Sequence, residues 1–168
     1  MSSLTENIEE PLAAIRRGYV AGRMGHAYII HGEPRGNARE LALGILRLLM
    51  CENTPEACGS CSSCKRVSDL SHPDCHWVEP QKKSRVIGVD DVRGLLHSVY
   101  QSAFEGGWKA VVIAAADRMN PQAANAFLKT LEEPPAQTIL FLLTNSPTSL
   151  LPTIVSRCQT IKLPLSFC

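Results

Sequence analysis

Three features of the sequence predict an α/β fold, a three-layer arrangement in which a mainly parallel sheet lies between helices. Apolar runs at 27–30 (AYII), 110–116 (AVVIAAA) and 138–143 (TILFLL) are continuous, as in strands buried on both faces. Between them lie stretches with apolar residues at helical spacing, and the repeated order of strand and helix builds parallel pairs through crossover connections. At 168 residues the chain suffices for one ordinary domain, which buries roughly 70% of its unfolded surface.

The first helix is expected near 8–21, where Leu12, Ile15, Tyr19 and Val20 recur on one face and Gly22 and Gly25 act as stop signals. A strand at 27–30 leads into the loop HGEPRGNAR (31–39). Leu41, Ile45, Leu48 and Leu49 then give the next helix a buried stripe. Residues 51–75 break the periodicity with cysteines, Gly59 and serines, an insertion with little apolar content of its own. Asp90 is the expected N-cap of a helix carrying Val92, Leu95, Leu96, Val99 and Ala103, with Gly106-Gly107 as its end. After the 110–116 strand, Asn120-Pro121 starts a helix whose core face is Ala124, Phe127, Leu128 and Leu131, stopped by Pro134-Pro135. The 138–143 strand, a short helix within SLLPTIVSR (149–157) despite Pro152, and QTIKL (159–163) complete the series.

Seventeen basic and 16 acidic residues leave a net charge of +1, so no global charge excess drives the chain onto nucleic acid or an anionic membrane. Glu6, Glu9 and Glu10 occupy the place of a basic leader, and the apolar runs are too short to span a bilayer; a cytoplasmic location is expected. Of seven cysteines, Cys51, Cys58, Cys61 and Cys64 cluster while Cys75, Cys158 and Cys168 are scattered, a pattern that favours a metal over a disulfide framework.

The loop at 31–39 sits between a strand and a helix, the setting of a phosphate-binding P-loop, G-x-x-x-x-G-K-[ST]. Aligned from Gly32, through Arg35 and Gly36, the chain places Asn37, Ala38 and Arg39 where the last glycine, the lysine and the hydroxyl belong. Hydrolysis also needs acidic residues after a second strand, to hold magnesium and activate water. There the chain has Ala114 and Ala115. The loop alone also reads as an ordinary strand-to-helix turn, but the two lesions together mark a degenerate nucleotide site. Arg35 and Arg39, beside the amides of a helix start, could still attract an anion.

The spacing C-x6-C-x2-C-x2-C over Cys51, Cys58, Cys61 and Cys64 can bring four thiolates around one tetrahedral zinc. The alternative, reduced cysteines in a core, fits poorly with the polar EACGSCSSCK. Cys51 follows directly on a helix, so His72 or Cys75 competes with it as fourth ligand. Four thiolates leave no open coordination position, so the site is expected to be structural.

The stretch 115–158, with NAFLKTLEEPP and SRC its most specific pieces, closely resembles the AAA+ module of bacterial DNA polymerase III clamp-loader subunits; GRMGHAYIIHGEP (22–34) and the cysteine insertion match as well. Motor subunits of that family, gamma and tau, keep an intact P-loop and an acidic pair. The delta-prime type commonly lacks both, and this sequence resembles it. The resemblance implies an AAA+ P-loop-type domain over 1–168 with a zinc module inserted at about 51–75, followed in full-length relatives by lid and collar domains. It also implies a non-hydrolysing member of a ring that loads the sliding clamp onto primed DNA, with gamma/tau motor subunits and a delta subunit as partners. Ser156-Arg157-Cys158 matches the family's trans-acting arginine motif, which makes Arg157 a finger for a neighbour's ATP; outside that context it reads as a solvated arginine. Thr144 falls where the superfamily keeps a phosphate sensor, and reads equally well as a strand-end cap. Two other functions compete with this one, an active ATPase of the gamma/tau type and a free-standing zinc-dependent nucleic-acid binder.

Overall fold

The computed structural model describes residues 2–53, 57–80, 85–105 and 107–164, with side chains from residue 8 onward. Five parallel strands, β1 (Ala27–His31), β2 (Cys75–Val78), β3 (Lys109–Ala114), β4 (Thr138–Thr144) and β5 (Gln159–Lys162), form one sheet in the order β2-β3-β4-β1-β5. Alternate residues feed two cores, as the pleat requires. Tyr28, Ile30, Val112 and Phe141 face one side with Leu41, Ile45 and Val67; Ile29, Val111, Ile113 and Leu140 face the other with Val92, Leu96 and Phe127. These are the three layers expected from the sequence.

On the first face lie α1 (Ser2–Val20), α2 (Asn37–Met50) and α3 (Ser62–Ser68). α1 begins ahead of the apolar stripe that marks it in the sequence and stops where Gly22 takes φ 74°. It crosses α2 closely, for a Cβ on Gly44 would stand 3.1 Å from Leu12. α4 (Val89–Val99), α5 (Pro121–Glu132) and the one-turn α6 (Pro152–Val155) cover the second face. Asn120 caps α5 by accepting the Ala123 N–H at 2.8 Å, as its place before Pro121 indicates. Pro152 does not break α6, because it stands in the first turn, where no amide is required.

Two expectations need correction, and a third feature goes unread in the sequence. α4 starts at Val89 with Gly88 rather than Asp90 as its cap residue, and Asp91 reaches back to accept the Gly88 N–H at 3.3 Å. The helix also ends at Val99, short of Ala103: the ammonium of buried Lys109 donates to the carbonyls of Val99 and Gln101, satisfying the helix end before the glycines are reached. Gly106 lies outside the described residues. Third, the 51–75 segment runs into an edge strand, β2, paired with β3 from Cys75↔Ala110 to Val78↔Ile113.

Because all strands run in parallel, their C-terminal ends share one edge of the sheet, where ligands of such folds bind. The 31–39 loop, Ala115, Thr144 and Lys162 all lie along it, with His31 in register with Thr144 and Lys162.

Candidate functional site

The loop after β1 turns into α2 as a phosphate loop does, yet its polar groups face inward. Gly32 N–H donates to Thr144 O (3.0 Å), while Gly36 and Ala38 donate to Glu33 O at 3.0 and 3.1 Å. The Glu33 N–H goes to Oδ1 of Asn37 (2.8 Å), and Nδ2 of Asn37 donates to Pro164 O (3.2 Å). Asn37 is 2% exposed, and its Oδ1 would stand 2.6 Å from a Cβ on Gly32. At the position of the last P-loop glycine the chain therefore carries a side chain that folds into the loop and takes up a backbone donor. A cavity of about 320 Å³ remains beside it, lined by His31, Glu33, Asn37, Asn145 and Lys162.

Nor are the two arginines free. Arg35 and Arg39 lie 3.8 and 3.9 Å from the Glu79 carboxylate just past β2, and Arg39 stands 5.9 Å over the Trp77 ring. An incoming anion competes with Glu79 for both. Ala114 ends β3, and Ala115 takes the left-handed conformation, φ 58° and ψ 55°, at the start of a single 3-10 turn. Thr144 is fully buried; its hydroxyl donates to Asp117 Oδ1 at 2.7 Å and accepts the Ser146 N–H at 3.0 Å. That is the strand-end role, joining β4 to the turn after β3.

At the other end of α2 the cysteines converge. Cys51 caps α2, Cys61 caps α3 and Cys64 lies in the first turn of α3, so two helix ends deliver three of the four sulfurs. All four lie within 4.8 Å of one another, and Cys51 Sγ is 3.6 Å from Cys58 Sγ. Sulfurs bound tetrahedrally at 2.3 Å to one metal stand about 3.8 Å apart, whereas a disulfide needs about 2.05 Å. The cluster fits the first and not the second. Amide N–H groups of Cys58, Cys61 and Cys64 point at the preceding sulfurs at 3.3–3.4 Å, donors suited to thiolates. Amides of Ser60 and Cys61 bring Cys58 down to about 5, whereas burial pushes Cys64 up to about 12. A cation among them would strip the remaining protons, since only the thiolate ligates.

The rivals for the fourth position lie elsewhere. Cys75 is buried in β2, and burial pushes its thiol up to about 12. His72 belongs to a separate group with Asp74 and Glu105. Its Nδ1 accepts the Asp74 N–H at 3.1 Å, so the ring proton sits on Nε2, which faces the Glu105 carboxylate at 3.2 Å. That tautomer offers no lone pair at Nε2 to a metal. Asp74 accepts the amides of Phe104 and Glu105 at 2.7 and 3.1 Å, and Glu105 also pairs with Arg66 of α3 at 2.7 Å. The group braces the cysteine module against the segment after α4.

Arg157 follows α6 on the surface. Its Nη1 donates to Thr153 O at 3.0 Å, and Nη2 lies 3.2 Å from Oε1 of Glu132 at the end of α5. Sequence reasoning does not single out Glu79, Glu132 or the Pro164 carbonyl. Glu132, within the LEEPP stretch, is the one with a local signal, a carboxylate at the C-terminal end of a helix, where the dipole disfavours it.

A five-stranded parallel sheet in this order, with a phosphate-loop turn after β1, places the chain in the AAA+ class of P-loop proteins, here with the loop closed by its own asparagine. Residues 8–166 match the family described as DNA polymerase III, delta subunit, and the chain belongs to that family. It is 42% identical over 142 residues to DNA polymerase III subunit delta' of Pseudomonas aeruginosa, covering 83% of this chain and 43% of that one. Against DNA polymerase III subunit tau of Escherichia coli it is 32% identical, covering 89% of this chain and 23% of tau. A crystal structure of a gamma subunit-related protein from Thermotoga maritima superposes with a TM-score of 0.64 at 27% identity, over 92% of this chain and 46% of that one. The chain thus spans less than half the length of these relatives. No helix among the described residues is long and apolar enough to cross a membrane.

Proposed function

We propose that this chain is a non-hydrolysing subunit of the replicative clamp loader, acting in the cytoplasm with gamma/tau motor subunits and a delta subunit to load the sliding clamp onto primed DNA. The observation that carries the reading is Asn37, whose side chain takes the Glu33 amide inside the loop where a phosphate would lie. With alanine at 38, 114 and 115 the site also lacks the lysine that neutralises phosphate charge and the carboxylates that hold magnesium and activate water. Residues 1–168 are read as one AAA+ domain with its cysteine module at about 51–75. Cys51, Cys58, Cys61 and Cys64 would hold one zinc, which closes the module without an open position for chemistry.

Arg157 would supply its guanidinium in trans to ATP on the adjacent motor subunit, meeting charge that develops on the transferred phosphoryl group. A finger of this kind is worth roughly 10³–10⁵ in rate at its site. The similarity to tau favours the alternative of an active ATPase, and turnover separates the two. The purified protein alone is expected to release no phosphate from Mg-ATP above background, and Arg157→Ala in the reconstituted complex to slow DNA- and clamp-stimulated hydrolysis at one site while assembly persists. Turnover by the chain alone that disappears on changing residues 32–39 overturns the first expectation; wild-type hydrolysis and clamp loading with Arg157→Ala overturn the second.

A further inference from the structure

An arginine that acts across an interface must be held in one orientation before its target arrives. Resting on the reading of Arg157 as such a residue, we infer that Glu132 is its positioning residue, a carboxylate at the end of α5 that fixes the plane of the guanidinium. Two partners on two elements grip the side chain: Thr153 O of α6 takes a hydrogen from Nη1 at 3.0 Å, and Glu132 Oε1 stands 3.2 Å from Nη2. A guanidinium has five N–H groups in a rigid fork, so these two contacts leave three for a phosphate without releasing either anchor.

Stability does not explain the pair. Glu132 closes α5 and Glu133 follows as its cap residue, which puts two carboxylates at the end of a helix where the dipole repels negative charge. Both partners are exposed, Arg157 at 38% and Glu132 at 47% of the side chain, and an exposed ion pair contributes little to folding. A placement that runs against local preference and gains little stability is accounted for by its effect on Arg157. Weakness also keeps Glu132 from acting as a competitor, since a screened surface carboxylate does not hold the guanidinium back from a desolvated triphosphate.

The test uses complexes reconstituted with motor subunits whose own trans-acting arginines have been replaced, so that the remaining hydrolysis reports the site served by Arg157. Glu132→Ala is expected to lower kcat about tenfold with KM for ATP unchanged, because ATP is bound by the neighbour and only the approach of the finger is disturbed. Glu132→Gln, which keeps an acceptor oxygen, is expected to restore most of the rate. Added to Arg157→Ala, Glu132→Ala is expected to cost nothing further. A parental rate with Glu132→Ala, or an equal loss in the presence and absence of Arg157, overturns the inference. If Arg157→Ala itself leaves hydrolysis unchanged, the finger reading falls first and the role of Glu132 with it.

Discussion

α2 connects two regions that treat their polar groups in opposite ways. At its N-terminus the amides of Gly32, Glu33, Gly36 and Ala38 are all bonded within the protein, and Asn37 fills the loop. At its C-terminus Cys51 joins three other sulfurs that face one another, with amides aimed at them and no covalent bond between them. One region has satisfied itself internally; the other has gathered four ligand atoms within 4.8 Å of one another, a set that could hold a cation. The state of a site is therefore read from where its donors and acceptors point, more than from whether its loop has kept its shape.

The largest effect that could break this contrast is metal removal. Structural zinc contributes about 10–16 kcal/mol of apparent binding free energy in small peptides. Chelation, or Cys61→Ser, is expected to abolish the metal content and to release protection of the α3 amides in hydrogen exchange, while amides of the 32–39 loop keep theirs. Metal analysis that finds one equivalent still bound after Cys61→Ser would remove the basis for treating the two ends differently.

A smaller effect tests the loop end. Asn37→Ala leaves the Glu33 N–H and the Pro164 carbonyl without their side-chain partner, and is expected to cost about 1–3 kcal/mol in denaturant unfolding. An unchanged midpoint would mean that water replaces Asn37 at no cost, and that the loop is not sealed.

The smallest is a dependence on pH. Burial lowers His72 and His76 below their ordinary range in the folded state. As pH falls below about 6.5, the unfolded chain takes up these protons first, so stability declines with acidification; above that range both rings are neutral in both states and contribute no slope. His72 touches the brace between Glu105 and Arg66, so the decline should be shallower in His72→Gln. Equal slopes in the two proteins would assign the acid sensitivity elsewhere.

Much of this architecture is visible in the residues alone. Continuous apolar runs locate β1, β3 and β4, because these strands, covered on both faces, keep His31, Lys109, Thr138 and Thr144 to their ends and leave the run between unbroken. Cysteine spacing locates the cluster, since its ligands are local in sequence. β2 leaves no comparable signal because CHWV is short, lies at the sheet edge and is mostly half-buried. The end of α4 is not legible because Lys109, a residue of the next strand, supplies the capping donor. The closure of the loop joins Asn37 to Pro164, and the grip on Arg157 joins α5 to α6; pairings so distant leave no periodic trace. Asn37 can be recognised as a departure from a motif, but not as the group that fills the space.

The position of β1 also governs how this chain can be made. It leaves a ribosome well before its neighbours, β4 and β5, which follow β2 and β3 in the sequence. At synthesis rates of 5–20 residues per second, Ile29 and Ile30 wait roughly 5–20 s for the strands that will cover them. Nascent chains must therefore carry an unpaired, water-averse strand until β4 and β5 have been made, and this sheet closes only then.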